Sequence, residues 1–250
     1  MRPMIIRAVV LVALAMVGAT ACEGDAGTST TTTGTDAVVL EYGFVGGSDG
    51  WASEVSDFSD QTRPENVLSE TGVTPPGVDE GEGFFHLAAD NRSDDLFQYM
   101  FRQVGSSDGL EPDTAYRISF EVVFASNAPT GCVGIGGAPG ESVWMKVGAA
   151  LDQPVPVNED GETRLAVDKG GQSEGGEAAE VAGVIANGIP CEEALAQDPT
   201  PYAMVTLSHT LSETVTTDSD GALWLFVGVD SGFEGRTSIY YDGVTVTLMP

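Results

Sequence analysis

One carboxylate in the last stretch of the chain, residues 238–249, falls on the face of a strand where a charge is costly. Counted in twos from Tyr240, the stretch places Val244 and Val246 on one face, which is the alternation of a half-buried β-strand. Asp242 falls on that same apolar face. A buried carboxylate is unfavourable unless it is ion-paired, hydrogen-bonded or bound to a metal. Asp242 is therefore predicted to be a polar anchor or a cation ligand.

Two short acidic segments have the oxygen-rich composition of cation or sugar sites. They are residues 90–95 and the segment from Asp230 to Glu234. Carboxylates bind calcium and accept hydrogen bonds from hydroxyl groups, so Asp230 and Glu234 are candidate ligand-binding residues. Turns in which Asp and Asn side chains bond to their own backbone explain the same segments equally well.

Sugar recognition also uses exposed aromatic faces that stack on the sugar ring. Trp224 lies in a stretch that is apolar on both faces, and Trp51 follows the first predicted turn, so both are predicted to be core residues. Trp144 and Phe233 remain as candidates for ligand contact, with burial in the core as the alternative. A glycan site would require one of these two side chains to be exposed beside a groove.

Signals for catalysis are weak, and no catalytic residue is predicted. Residues 46–50 fit the pattern G-x-S-x-G, but no helix follows them, as a nucleophile elbow would require. His86 and His209 each stand alone in a strand-like context and are predicted to be partly buried strand residues. An enzyme would need one of these histidines beside a carboxylate, or two carboxylates facing each other across a cleft.

Alternating apolar and polar residues, separated by turn residues, recur through residues 37–250 and predict the elements that position these side chains. The predicted strands are 38–45, 84–89, 96–104, 116–124, 142–149, 202–211, 222–230 and 238–249. They predict an all-β fold, an antiparallel β-sandwich of jelly-roll type. Residues 223–229 are apolar on both faces, which indicates a strand in the middle of a packed sheet or between two layers.

The first 21 residues have the composition of a signal peptide. Arg2 and Arg7 form a positive region, residues 8–17 are an apolar run too short to span a bilayer, and small residues lead to Cys22. This arrangement resembles a bacterial lipoprotein signal, whose cysteine is lipidated and becomes the new N-terminus. The alternative is an ordinary secretory signal in which Cys22 is incidental.

The lipoprotein resemblance implies a membrane anchor at Cys22 and a domain in the cell envelope that faces outside the cytoplasm. Residues 22–36, rich in threonine and glycine, are predicted to be a flexible tether. In such a compartment the remaining pair, Cys132 and Cys191, is predicted to form a disulfide, with two buried free cysteines as the alternative.

Residues 152–201 interrupt the strand pattern. Prolines, glycines and acidic residues predict one long irregular insertion, in which only residues 191–196 have the pattern of a short helical turn.

The charge balance limits the partners of the folded domain. The formal net charge is -28, with 38 acidic residues against 10 basic ones, and the two lysines stand at positions 146 and 169. Direct binding to nucleic acid or to anionic lipid headgroups is therefore not expected. An acidic, solvated surface accounts for this composition, and so does a surface that meets cations.

Three pieces of the sequence resemble carbohydrate-binding modules and galactose-binding-like jelly rolls. They are Tyr-Gly-Phe-Val-Gly-Gly-Ser-Asp-Gly-Trp at 42–51, Leu-Glu-Pro-Asp-Thr-Ala-Tyr at 110–116 and Tyr-Tyr-Asp-Gly-Val at 240–244. Five further segments, 91–97, 124–129, 134–143, 168–176 and 229–235, resemble an uncharacterised family of bacterial lipoproteins, which brings no known activity.

The jelly-roll resemblance implies a structural calcium ion between the first and last strands. Asp242 is at the position of the family's aspartate ligand, and Glu41 in the first predicted strand is a second carboxylate for the same ion. The alternative is an Asp242 that is satisfied by backbone amides or by an arginine such as Arg236.

The sequence thus favours a membrane-anchored, non-catalytic binding domain whose ligand is a glycan. A structural or protein-interaction lipoprotein is the second interpretation, and a glycan-active hydrolase is the third.

Overall fold

The computed structural model describes residues 36–78 and 83–250. The predicted signal peptide, Cys22 and the tether up to residue 35 lie outside the described residues. Within the described part of the chain, no helix is long and apolar enough to cross a membrane.

The described chain is an all-β, antiparallel sandwich, as predicted. Its strands are β1 (Val38–Gly43), β2 (Ala52–Ser56), β3 (Phe58–Ser59), β4 (Glu65–Val73), β5 (Phe84–Asp90), β6 (Leu96–Val104), β7 (Ala115–Ser126), β8 (Val143–Ala150), β9 (Pro156–Glu159), β10 (Glu162–Leu165), β11 (Ala179–Val184), β12 (Ala203–Thr210), β13 (Val215–Thr216), β14 (Leu223–Ser231) and β15 (Arg236–Met249). A 3-10 turn (Ser106–Asp108) and the helix α1 (Cys191–Leu195) complete the elements. Each of the predicted strands is present, with ends that differ by two residues or fewer.

Two sheets form the sandwich. The front sheet has the strand order β12-β7-β15-β5-β4, with β1 paired to β15 and β13 paired to β7, and the back sheet has the order β11-β8-β14-β6-β2. The strands β3, β10 and β9 form a small separate sheet. One edge of β15 pairs with β7, and its other edge pairs first with β5 and then with β1. The last strand therefore lies beside the first.

The main core fills the space between the two sheets. Along β7 the side chains of Tyr116, Ile118, Phe120, Val122 and Phe124 face this core in the predicted alternation, and each is at most 2% exposed. Burying an apolar side chain of this size stabilises the fold by about 1.5–3 kcal/mol.

A second apolar layer covers the outer face of the back sheet. We call residues 164–176 the covering segment. The rings of Phe97, Tyr99 and Phe226 form a second core with Leu165 and Val167 of this segment. The strand β14 thus lies between two layers, which explains why the sequence is apolar on both of its faces.

Residues 152–201 are more regular than their composition predicts. They contain β9, β10 and β11 as well as the predicted helical turn, α1. Most side chains of these three strands are half-buried or exposed, so their apolar alternation is weak. The predicted disulfide between Cys132 and Cys191 is present, and Cys191 is the first residue of α1.

A β-bulge in β15 changes the face that Asp242 was predicted to occupy. The pairing with β7 shifts between Tyr241 and Gly243, so Tyr241, and not Tyr240, shares the core face with Val244. Asp242 lies at the bulge and is half-buried. Burial alone raises the pKa of its carboxyl group.

The predicted calcium ligands Glu41 and Asp242 lie on the paired strands β1 and β15. Glu41 is exposed and pairs with Thr245, whereas the pairing reaches Gly43 opposite Gly243. Glu41 and Asp242 are therefore about three positions, or roughly 10 Å, apart along the strands. A separation of this size is within the combined reach of the two side chains and a calcium ion between them, so a shared ion stays a prediction. A calcium ion held by Asp242 with other oxygens stays a prediction as well.

Candidate functional site

Both aromatic candidates for ligand contact are half-buried. Phe233 packs against the main core, and a Cβ atom on Gly134 or on Gly235 would lie 2.5 Å from carbons of its ring. Trp144 projects from the outer face of β8, where a Cβ atom on Gly232 would approach its ring to 3.4 Å. Both side chains thus keep part of their surface accessible, and their contact with a ligand stays a prediction.

The two acidic candidates lie in different environments. Glu234 is exposed, whereas Asp230 is the second-last residue of β14 and its side chain is completely buried. Asp230 Oδ2 accepts a hydrogen bond from Lys169 Nζ at 2.6 Å and lies 3.4 Å from Lys146 Nζ. Asp230 therefore does not reach solvent, because the chain's own cations enclose its carboxylate.

The two lysines of the sequence are both buried in this one cluster. Lys146 Nζ donates hydrogen bonds to the carbonyl oxygens of Lys169 at 2.8 Å and Glu174 at 2.9 Å, and also to that of Gly171. These carbonyl groups belong to the covering segment. A buried ammonium group must have all of its donors satisfied, so Lys146 fixes the backbone of this segment over the sheet.

Lys169 holds two carboxylates together. Its Nζ lies 2.6 Å from Asp230 Oδ2 and 2.7 Å from Asp57 Oδ2, and 5.3 Å from the centre of the Phe97 ring. Burial alone would lower the pKa of Lys169, but the carboxylates of Asp230 and Asp57 outweigh it and raise the pKa. Burial lowers the pKa of Lys146, which faces backbone carbonyl groups and only one carboxylate at a longer distance.

A third carboxylate, that of Asp95, completes an acidic triad. Oxygens of Asp57, Asp95 and Asp230 lie within 4.8 Å of one another, a spacing at which carboxylates can hold a metal ion. Burial raises the pKa of Asp95 to about 6, and the neighbouring charges of Asp230 and Asp57 add to this effect. Because the ammonium group of Lys169 already contacts two of the three carboxylates, the triad contains a cation of its own.

The chain around the triad is positioned by turns with specific backbone requirements. Asp57 has a positive φ of 64°, and its N–H donates to the carbonyl oxygen of Thr163 at 2.7 Å, which joins the β2–β3 corner to β10. In the covering segment, the carboxylate of Asp168 accepts hydrogen bonds from the N–H groups of Gly170 and Glu177. These bonds lower the pKa of Asp168 and close the turn that presents Lys169 inward.

An open pocket of about 420 Å³ lies beside the triad. It is lined by Asp57, Asp95 and residues 164–172 of the covering segment, among which Arg164 and Gln172 bring a guanidinium group and an amide. Leu165 and Val167 supply apolar surface at the same wall. The pocket thus combines hydrogen-bond acceptors, donors and a small apolar face. Of the three carboxylates in the triad, that of Asp95 is the most exposed, because Asp95 is half-buried whereas Asp57 and Asp230 are buried.

The sequence identified part of this site. Both acidic segments that it singled out contribute, because Asp95 ends the first and Asp230 begins the second. Asp57 and the two lysines were not predicted to belong to a site. Lys146 could have indicated the site, because it interrupts the apolar run from Val143 to Val147, where a surface lysine is not expected.

Both histidines lie beside a carboxylate, which is the condition that the sequence set for catalysis. His86 Nδ1 lies 3.1 Å from Glu70, and His209 Nε2 lies 2.7 Å from Glu180. His86 lies in the strand β5, and its side chain is buried at 4% exposed.

Comparisons with known proteins find similar solved structures but no matching sequence. No protein-family model matches the sequence, and no curated protein matches it. Similar solved structures include the enzymatically active domain of tailspike protein 4 of bacteriophage CBA120, with 9% identity over 80% of this chain and 19% of that chain and a TM-score of 0.38.

Two further similar structures are carbohydrate-binding modules. One is from a study of promiscuous specificity in the β-sandwich superfamily, with 14% identity over 77% of this chain and 55% of that chain and a TM-score of 0.35. The other is a module that recognises mannan, with 11% identity over 86% of this chain and 99% of that chain and a TM-score of 0.36. The chain spans about a fifth of the tailspike chain and about half of the first module. Similarities at this level assign no function.

Proposed function

We propose that the pocket beside Asp95 is a non-catalytic binding site that takes a saccharide unit of a glycan. The observation that supports the proposal is the pocket itself, in which a half-buried carboxylate, an amide and a guanidinium group surround about 420 Å³ of open space. Ligand pockets in proteins commonly have volumes of about 300–1,000 Å³.

The chemistry of the lining favours a neutral, hydroxyl-rich ligand. A carboxylate accepts hydrogen bonds from two neighbouring hydroxyl groups, and Arg164 can donate to ring or hydroxyl oxygens. Gln172 Nε2 donates to the carbonyl oxygen of Asp94 and so links the covering segment to the loop that carries Asp95. The net charge of -28 disfavours anionic ligands. Because Trp144 and Phe233 are half-buried, the proposal depends on these polar groups and on Leu165 and Val167, and not on an exposed aromatic platform.

We expect Asp95→Asn to weaken glycan binding by roughly tenfold or more, because hydrogen bonds to a charged acceptor are the strong ones. Residues 36–250, which belong to one compact unit, would be applied to a glycan array with and without calcium, and the affinity for any bound glycan would then be measured. Wild-type binding should weaken as the pH falls through about 6, the pKa of Asp95, since the protonated carboxyl group loses an acceptor.

The matched control is Asp94→Asn, which removes a carboxylate from the neighbouring exposed residue and should change the affinity by less than about twofold. Equal effects of the two substitutions, or no bound glycan, would contradict the proposal. Binding that requires calcium and is lost with Asp95→Asn would place a metal ion between the triad and the ligand.

We also propose that Cys22 carries a lipid that anchors the domain to a membrane of the cell envelope, facing outside the cytoplasm. The support is the sequence of residues 1–22 and the tether that follows. We expect Cys22→Ser to move the protein from the membrane fraction to the soluble fraction. Retention of the variant in membranes would contradict the anchor.

A further inference from the structure

A second polar cluster lies on the outer face of the front sheet, on three neighbouring strands. His86 of β5 pairs across the ladder with Tyr240 of β15 on one side and with Glu70 of β4 on the other. His86 Nε2 lies 2.8 Å from Ser238 Oγ, and His86 Nδ1 lies 3.1 Å from Glu70 Oε1. Tyr202 OH is 2.9 Å from Ser238 Oγ.

The donors in this cluster can be assigned from the chemistry of its members. A carboxylate can only accept, so His86 Nδ1 carries a proton and donates it to Glu70. In the neutral ring Nε2 is then an acceptor, which takes the hydroxyl hydrogen of Ser238. The Ser238 oxygen in turn accepts from Tyr202. The hydroxyl of Ser238 therefore points at a base whose opposite nitrogen is held by a carboxylate.

The surroundings keep the imidazole neutral and fixed in position. The ring stacks on Tyr240 with 3.7 Å between ring centres and 5° between planes. Burial lowers the pKa of His86, Glu70 opposes this effect, and Arg236 adds to it. A histidine that is neutral near pH 7 and immobile can accept a proton from a serine as the serine attacks.

We infer that Ser238, His86 and Glu70 form a nucleophilic relay on the front sheet, with carboxylic esters as the substrate class. This activity goes beyond the proposed glycan binding and uses none of the pocket residues. Nucleophile and base lie within hydrogen-bonding distance, and the base is oriented by a third group, which is the arrangement of serine hydrolases on unrelated folds.

The reaction proceeds in two balanced steps. Ser238 Oγ forms a bond to the acyl carbon while its proton passes to His86 Nε2, and the ester C–O bond breaks as the same proton is given to the leaving alkoxide. Water then attacks the acyl-serine through His86, which releases the carboxylic acid and restores the serine. Tyr202 OH, within hydrogen-bonding distance of Ser238 Oγ, is placed to donate a hydrogen bond to the developing oxyanion.

The chain contains a control with the same residue types and a different connection. His209 Nε2 and the Ser212 hydroxyl both bond to Glu180, so this serine contacts the carboxylate and not the imidazole. If a serine becomes nucleophilic only when its hydroxyl bonds directly to the imidazole, Ser238 should react and Ser212 should not.

The experiment treats the protein with an alkyl fluorophosphonate, which releases fluoride when a serine oxygen bonds to phosphorus, and identifies the modified serine by peptide mass spectrometry. Because Ser238 is 8% exposed and bonded to Tyr202, Tyr202→Ala is included as a variant with an uncovered serine. We expect modification of Ser238 in the wild type or in Tyr202→Ala, a rate at least tenfold lower with Glu70→Gln, and no modification of Ser212.

The labelling rate should be constant at neutral pH and fall only below the ordinary pKa of histidine. Hydrolysis of p-nitrophenyl acetate should fall at least tenfold with Glu70→Gln, and it should also fall with Tyr202→Ala, which removes the oxyanion donor. The side chain of Glu70 is 44% exposed, so its substitution is not expected to prevent folding. Absence of modification at Ser238 in both the wild type and Tyr202→Ala overturns the inference. So does a rate that Glu70→Gln leaves unchanged, since the serine would then react without the relay.

Discussion

Replacement of Lys169 by methionine is expected to lower the free energy of unfolding by about 3–5 kcal/mol, the cost of leaving buried charges without their partner. Lys169 Nζ lies 2.6 Å from Asp230 and 2.7 Å from Asp57, and the three side chains are at most 8% exposed. Methionine retains much of the aliphatic chain, so the loss reflects the missing charge. A melting temperature on the order of 10 °C lower, with a matching loss in chemical denaturation, would be observed.

An exposed ion pair supplies the control for this prediction. Arg63 lies 3.0 Å from Asp60, with both side chains more than 60% exposed. Arg63→Met should cost less than about 1 kcal/mol, because water screens such a pair. In the variant Lys169→Met, adding Asp57→Asn should recover part of the loss by removing one unpaired charge. Equal costs for Lys169→Met and Arg63→Met would contradict the role given to burial.

The same variant shows what the ammonium group does in the acidic triad. Without Lys169, the carboxylates of Asp57, Asp95 and Asp230 keep a spacing that suits a divalent cation, and no other cationic side chain among the described residues forms an ion pair with Asp57. Millimolar calcium should therefore raise the melting temperature of Lys169→Met more than that of the wild type, since an ion that binds only the folded state stabilises it. An equal rise in both proteins would show that Lys169 does not occupy the place of the ion.

Strands that face the main core could be predicted from the sequence because one face of each is continuously apolar. The alternation from Tyr116 to Phe124 is a local property, and the structure confirms it. The strand β4, which is one of those that the sequence did not predict, has no such face, since its residues are exposed or half-buried along its whole length at the edge of the front sheet. Its pairing with β5 is a relation between distant residues that no local pattern encodes.

The candidate site was harder to predict because its members converge from four separate parts of the chain. Asp57, Asp95, Lys169 and Asp230 come from a strand corner, a loop, the covering segment and the end of β14. Sequence patterns indicated that acidic residues at two of these places could bind a cation. They could not indicate that a lysine from an apparently irregular segment would supply it.

A single-residue bulge explains the error at Asp242. Side chains alternate with a period of two in a regular strand, so one extra residue moves every preceding side chain to the other face. Tyr240 was placed in the core and instead stacks on His86 at the outer surface. The adjacent residues Asp242 and Gly243 were the local sign of the shift in the sequence.

Removal of the disulfide is the second substitution with a large expected effect. Cys132 and Cys191 are separated by 59 positions, and closing a loop of this length restricts the unfolded chain by about 4 kcal/mol in the chain-entropy model. The loop contains β8 with Lys146, the covering segment with Lys169, and β11. The double variant Cys132→Ser/Cys191→Ser should therefore unfold at a clearly lower temperature or denaturant concentration.

Reduction of the wild-type protein provides the matched measurement. Dithiothreitol should lower the melting temperature of the wild type toward that of the double variant and leave the variant unchanged, because the variant has no bond to reduce. A wild type that does not respond would show that the cross-link contributes little to stability. Since folded domains are commonly stable by only about 5–15 kcal/mol, a loss of about 4 kcal/mol would leave the reduced protein marginal. Such a dependence would favour an oxidising compartment, where disulfides persist, and would support the extracytoplasmic location proposed from the first 22 residues.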